Sequence, residues 1–258
     1  MGFGVLGPVE MWDAGAPVPL GPPRQRAVLA ALLVDCGHLV PVDTLVDRVW
    51  GAEAPDRAAR TLHTYITRLR RLVGPDRLVR RPGGYLVEIE PDAVDLHRFR
   101  RLVTPVEAPV ERLARLREAV ALWRGQPLAG IGGEWAERMR RTWQQERVDA
   151  VVAWADAELH TGDPAVVCAP LRELVEEQPL VEPLVEVLMR ALAATGRGAD
   201  ALQQYAALRE RLADELGADP SPELQSTHQA LLRTGPPPTP PPRIPTAVVP
   251  AAPVTEDP

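Results

Sequence analysis

The most regular apolar and polar pattern in the chain lies between Ala58 and Val73, where Leu62, Ile66, Leu69 and Val73 follow the i, i+4, i+7, i+11 spacing of an amphipathic helix. Neither proline nor glycine interrupts it before Gly74. At ~1.5 Å per residue the segment makes a rod of about 24 Å. Tyr65 and Leu72 flank the apolar stripe. The opposite face gathers Arg60, Thr64, Thr67 and Arg71, with Thr61 and Arg68 on one shoulder and His63 and Arg70 on the other. After Gly74-Pro75, residues 77–81 and 85–89 are short β-prone runs separated by Pro82-Gly83-Gly84, which predicts a hairpin.

Upstream, the pattern predicts short strands at residues 3–6, 9–12 and 18–20, separated by Gly7-Pro8 and the turn signal Asp13-Ala14-Gly15. Pro22-Pro23 opens a helix whose Val28, Leu29, Leu32 and Leu33 form one stripe and which Gly37 ends. Residues 39–42 are an extended link. Asp43 stands where an N-cap belongs for a helix over 44–50, stopped by Gly51. The order is strands, helix, link, helix, helix, hairpin. A helix with a basic outer face followed by a basic hairpin is the layout of a winged helix, in which the helix enters the major groove and the hairpin lies against neighbouring backbone.

From residue 92 onward the pattern is almost wholly helical, with helices predicted at 111–123, 134–160, 165–177, 182–195, 198–216 and 222–232. The joints Thr161-Gly162-Asp163 and Thr195-Gly196-Arg197 are 34 residues apart, the period of tetratricopeptide helical hairpins. The expected fold class is therefore an α+β winged helix-turn-helix domain, residues 1–91, followed by an all-α tetratricopeptide-like domain, residues 92–234. Residues 235–258 hold ten prolines in 24 positions and read as an unfolded tail or linker.

Charge sharpens this division. The chain carries −6 overall, yet residues 57–85 hold eight arginines against the single acid Asp76. Residues 1–101 balance at +2 and residues 102–258 at −8. The front half can approach nucleic acid and the back half is repelled by it. No lysine occurs, so arginine carries every basic role and a lysine-dependent phosphate loop is excluded. Cys36 and Cys168 stand far apart without CxxC spacing, which suggests neither a disulfide framework nor a zinc site. The five histidines are dispersed and no G-x-S-x-G or HExxH motif is present, so the expectation is a protein that is not an enzyme and needs no cofactor or metal. The acids are expected mainly in i, i+4 company with arginines on helix surfaces. No apolar run reaches the ~18 residues of a membrane span and no signal peptide is seen, so a cytoplasmic, nucleoid-associated protein is expected.

The run from Arg60 to Arg71, RTLHTYITRLRR, resembles the recognition helix of OmpR-type winged-helix output domains, and Arg81-Pro82-Gly83-Gly84-Tyr85 resembles their wing tip. The wing departs from that family where Pro82 and Gly83 replace a polar turn residue. Three further stretches, residues 94–99 (VDLHRF), 122–128 (LWRGQPL) and 215–224 (ELGADPSPEL), are similar to the bacterial transcriptional activation domain. With both motif sets in order over residues 3–234, the chain resembles the Streptomyces antibiotic regulatory proteins, which include AfsR-like activators. That resemblance implies a sequence-specific activator of secondary-metabolite (antibiotic) genes. It would bind direct repeats in double-stranded DNA near the promoter −35 region. Two protomers would lie side by side, in contact with RNA polymerase and its principal sigma factor. In AfsR-type members an ATPase domain follows the proline-rich linker.

Arg68 and Arg71 are the first candidates for base contact, because arginine pairs bidentately with guanine. Thr64 suits a base edge or a thymine methyl; Arg60, Thr61, Thr67 and Arg70 suit phosphates; Arg81, with Arg80 and Arg77, suits the wing. His63 is open between contact and packing, and Tyr65 reads as core. The alternative is a tetratricopeptide-like interaction scaffold whose basic helix contacts protein or non-specific nucleic acid.

Overall fold

The computed structural model describes residues 1–234, and the proline-rich segment 235–258 lies outside the described residues. The chain begins with an antiparallel sheet of β1 (Gly2–Gly4), β2 (Glu10–Asp13) and β3 (Ala16–Pro17), pairing Phe3 with Met11 and Asp13 with Ala16. The third strand was expected at 18–20. It begins two residues earlier because Ala14 and Gly15, both at positive φ, reverse the chain within two residues.

Helix α1 (Pro23–Val34) starts with proline in its first turn. Instead of one stripe, every residue from Ala27 to Leu33 is buried, because α2, α3 and the wing sheet all pack on this helix. The expected extended link contains a strand, β4 (Val40–Pro41), which runs directly into α2 (Val42–Trp50). Pro41 therefore occupies the N-cap, and Asp43 lies in the first turn instead of capping it. Val42 N donates to Gly83 O at 3.1 Å, so the wing tip holds this helix start. Helix α3 (Ala58–Val73) has the expected bounds and buries Leu62, Ile66, Leu69 and Val73.

The wing is β5 (Leu78–Arg81) and β6 (Gly84–Val87), joined by Pro82-Gly83 with Gly83 at φ +84°, and the sheet order is β4-β6-β5. A Cβ on Gly84 would lie 2.2 Å from the Val40 carbonyl oxygen, so only glycine lets β4 approach this closely.

Among the described residues seven α-helices follow: α4 (Asp95–Val103), α5 (Pro109–Ala121), α6 (Glu134–Thr161), α7 (Cys168–Glu177), α8 (Glu182–Ala194), α9 (Gly198–Leu216) and α10 (Pro222–Thr234). The pattern did not predict α4, and the helix expected from 165 opens with a 3-10 turn, Pro164–Val167. One core gathers Phe3, Leu29, Leu62, Leu78, Val87, Phe99, Leu128, Trp135 and Trp143, and so runs across residue 91. A second lies among α5 to α10 around Trp154, Leu171, Leu188, Leu212 and Leu224.

The stretches 94–99 and 122–128 form the junction between the halves. Asp95 accepts hydrogen bonds from Val5 N at 2.8 Å, Leu6 N at 3.0 Å and Arg124 Nη2 at 2.9 Å. Burial pushes the Asp95 carboxyl up, and those donors oppose the rise. Arg124 also pairs with Glu10, and its guanidinium lies 4.8 Å from the Trp12 ring centroid. Leu128 N donates to Val5 O at 3.0 Å. The first sheet and the loop after β1 are thus bonded to the helical half.

Most ion pairs of that half join different helices, contrary to the i, i+4 expectation. Arg98–Glu118, Arg100–Glu146, Arg147–Glu177 and Arg190–Asp156 are of this kind, whereas Glu111–Arg115 and Glu134–Arg138 are i, i+4. Glu158 is fully buried and accepts from Arg117 Nε at 2.6 Å, Trp154 Nε1 at 2.9 Å and Asp163 N at 3.0 Å. The Arg117 guanidinium holds the Glu158 carboxyl below its ordinary value, with burial opposing.

Candidate nucleic-acid interface

Helix α3 places its apolar stripe on the first core and leaves Arg60, His63, Thr64, Thr67, Arg68 and Arg71 exposed along one side. The side chains of Arg60, Arg68 and Arg71 have no hydrogen-bond or ion-pair partner among the described residues. Thr61, Thr64 and Thr67 donate their hydroxyls to the carbonyls four residues back, at 3.2, 3.2 and 2.8 Å. Their oxygens remain acceptors. This surface therefore offers fixed positive charge between short, half-apolar side chains. Tyr65 is half-buried and stacks on Trp50 with centroids 6.4 Å apart, in keeping with a packing role.

The other candidates sit differently. Arg70 folds back on the helix end, with Nη2 3.4 Å from Pro75 O and a buried Nε that has no partner. Arg77 lies at the same end, 3.4 Å from Val73 O and 3.1 Å from the Met1 sulfur. On the wing, Arg81 pairs with Glu88 at 3.0 Å, while exposed Arg80 has no such partner among the described residues.

His63 is tied to the wing. Its Nδ1 lies 2.7 Å from the Tyr85 hydroxyl, with the two rings edge to face at 5.9 Å. Between helix and wing lies a cleft of about 400 Å³ lined by His63, Arg80, Arg81, Gly83 and Tyr85. Sequence reasoning overlooked Arg57, exposed at the N-cap of α3, and the Tyr85 hydroxyl. Arg57 was legible as part of the charge cluster; the Tyr85 contact spans 22 residues and has no local signal.

The arrangement has counterparts among known proteins. Residues 15–86 match the family described as Transcriptional regulatory protein, C terminal, and residues 94–232 match the Bacterial transcriptional activator domain. The chain is 39% identical over 241 residues to the Regulatory protein AfsR of Streptomyces coelicolor, covering 91% of this chain and 24% of that protein. It spans about a quarter of AfsR. It is 32% identical over 255 residues to the Regulatory protein DnrI of Streptomyces peucetius, covering 92% of this chain and 93% of DnrI. The solved structure of Mycobacterium tuberculosis EmbR in complex with a low-affinity phosphopeptide superposes with a TM-score of 0.81 at 33% identity. That match covers 91% of this chain and 65% of EmbR.

Fold and matches together define a transcriptional regulator that joins an OmpR-type winged helix to a bacterial transcriptional activator domain. The chain belongs to the Streptomyces antibiotic regulatory protein family of transcriptional activators.

Proposed function

We propose that the chain binds double-stranded DNA in a sequence-specific manner, with α3 in the major groove and the wing against flanking backbone. Arg68 and Arg71 contact guanine edges, Thr64 presents its methyl to a thymine, and Arg60, Thr61 and Thr67 face phosphates. Arg80 and Arg81 serve the wing; Arg70 and Arg77, turned toward the end of α3, contribute positive field and hold its loop. The observation that carries this reading is the unpaired row Arg60, Arg68 and Arg71 in a chain whose net charge is −6. A cationic face left uncompensated in an acidic protein suits an external polyanion.

In the same reading, residues 1–91 hold the duplex and residues 92–234 meet the transcription machinery. The family supports binding to direct repeats near the −35 region, recruitment of RNA polymerase through its principal sigma factor, and control of antibiotic genes in the cytoplasm. On direct repeats two protomers meet head to tail, without two-fold symmetry. The acidic helical half, repelled by DNA, is free to face protein.

The test is selection of bound duplexes from a random pool, repeated with Arg68→Ala and across a salt series. A recovered repeat whose preference at one position relaxes in the variant supports the proposal. Failure to enrich any sequence, with binding that disappears steeply as salt rises, would overturn it and favour a scaffold with a non-specific basic face.

A further inference from the structure

We infer that the cleft between α3 and the wing is a binding site for a single DNA phosphate, with His63 as a proton-dependent contact held in place by Tyr85. This rests on the DNA-binding reading above and adds to it a site and a pH dependence. Three observations converge. The cleft, about 400 Å³, is lined by His63, Arg80 and Arg81 beside the glycines of the wing turn. Arg80 is exposed and has no carboxylate partner among the described residues, whereas Arg81 is shared with Glu88 at 3.0 Å. The imidazole of His63 is fixed through Nδ1 by the Tyr85 hydroxyl at 2.7 Å, and Tyr85 itself is buried between Val40 and Arg80 in the wing sheet.

That hydrogen bond survives either charge state of the ring. A phenol donates to a neutral imidazole nitrogen and accepts from an imidazolium. When the phenol donates to the neutral ring, and whenever the ring is an imidazolium, the opposite nitrogen, Nε2, carries a hydrogen, and among the described residues it has no partner. Protonation therefore adds a full positive charge without moving the ring. The groups around it favour an anion: Arg60 and Thr67 lie within one helical turn on α3, and Arg80 and Arg81 stand on the wing. Asp43 and Asp47, both exposed on α2, and Glu88, paired with Arg81, are the acids on the neighbouring elements, and Arg48 on α2 is paired with Asp35. A phosphodiester here would bridge the recognition helix and the wing with a few charge-assisted bonds. Because phosphate favours the imidazolium, affinity rises as pH falls.

The experiment titrates the whole chain with a mixed-sequence duplex, and with any selected duplex, across a salt series at about pH 5.5 and about pH 8, either side of the range in which imidazoles change charge. The expected slope of log K against log salt is steeper at the lower pH by about 0.9, the increment of one neutralised B-DNA phosphate. In His63→Gln that increment is expected to vanish while binding at the higher pH persists. In Tyr85→Phe, which frees the ring, it is expected to shrink. An increment that persists in His63→Gln, or a wild-type slope independent of pH, overturns the site. A full increment in Tyr85→Phe overturns the positioning role of Tyr85. Loss of sequence selection alongside an intact increment would count against the regulator reading and leave the phosphate site standing; no binding at either pH would remove both.

Discussion

Arg68 and Arg124 are the same amino acid in opposite circumstances. Arg124 is folded between Asp95, Glu10 and the Trp12 ring, where it bonds the first sheet to the helical half. Arg68 stands exposed on α3 with no carboxylate within reach among the described residues. The contrast is regional. Of the 17 arginines from Arg98 to Arg233, 11 have an acid within 4.0 Å, whereas of the eight between Arg57 and Arg81 only Arg81 does. In a chain with more acids than bases, cations without an acid partner gathered in one compact region are the feature on which the proposed DNA interface rests. The helical half uses arginine as an internal connector, as α2 does with Arg48 and Asp35; the segment from α3 to the wing leaves all but Arg81 without an acid.

The strongest way to break the contrast is at the junction. Asp95→Ala strips acceptors from Val5 N, Leu6 N and Arg124. A loss of about 3 kcal/mol in urea unfolding is expected, from buried donors left without partners. DNA affinity of the folded fraction should be unchanged.

Arg68→Ala should do the converse. Stability is expected to stay within about 0.5 kcal/mol, while specific binding weakens by about 2 kcal/mol, roughly 30-fold, in competition titrations against a single-base variant of the site. Equal losses on specific and scrambled duplexes would reduce Arg68 to a phosphate contact.

Glu158→Gln sharpens the comparison from the helical side. At neutral pH it should cost about 1–2 kcal/mol, because a charge-assisted bond becomes a neutral one. The folded carboxyl titrates below its unfolded value, so its stabilisation is complete above the unfolded pKa and is lost as pH falls through the folded one. Acid unfolding of the wild type should accordingly be steeper than that of the variant below about pH 4.5. Parallel acid limbs would deny Glu158 that role.

The smallest effect is expected at Arg98→Ala. Its pair with Glu118 joins α4 to α5, but both side chains are nearly half exposed, at 45% and 43%. Solvent screening leaves less than about 0.5 kcal/mol there, and DNA binding should be unaltered. A larger loss in thermal unfolding would show that surface connectors matter more than their exposure implies.

What the sequence made legible follows from what was local. The bounds of α3 are set by its own periodicity and by Gly74, and the wing turn by Pro82-Gly83. Strand β4 was missed because two residues carry no period, and its pairing with Gly84 and Tyr85 is fixed by partners more than 40 positions away in sequence. Asp95 and Arg124 lie within the stretches that resemble the activation domain, yet their purpose has no local signal, because Asp95 meets Val5 and Leu6 across 90 and 89 residues. The same limit applies to the site. The charge cluster and its exposed face were readable, but Arg70 folding onto Pro75 and the His63–Tyr85 bond depend on how the helix end and the wing close.

The shared core across residue 91, with the Asp95–Arg124 bonds beside it, packs the two halves against each other. On a duplex this makes the protein a pointer. Moving the recognition helix by one base pair would advance the helical half by about 3.4 Å and swing it around the DNA axis by about 34°, since a turn holds ~10.5 base pairs. Under the proposed binding to direct repeats, the spacing between repeats and from repeat to promoter would be read as an angle, and a promoter out of phase by half a turn would present the helical half to the opposite side of the duplex.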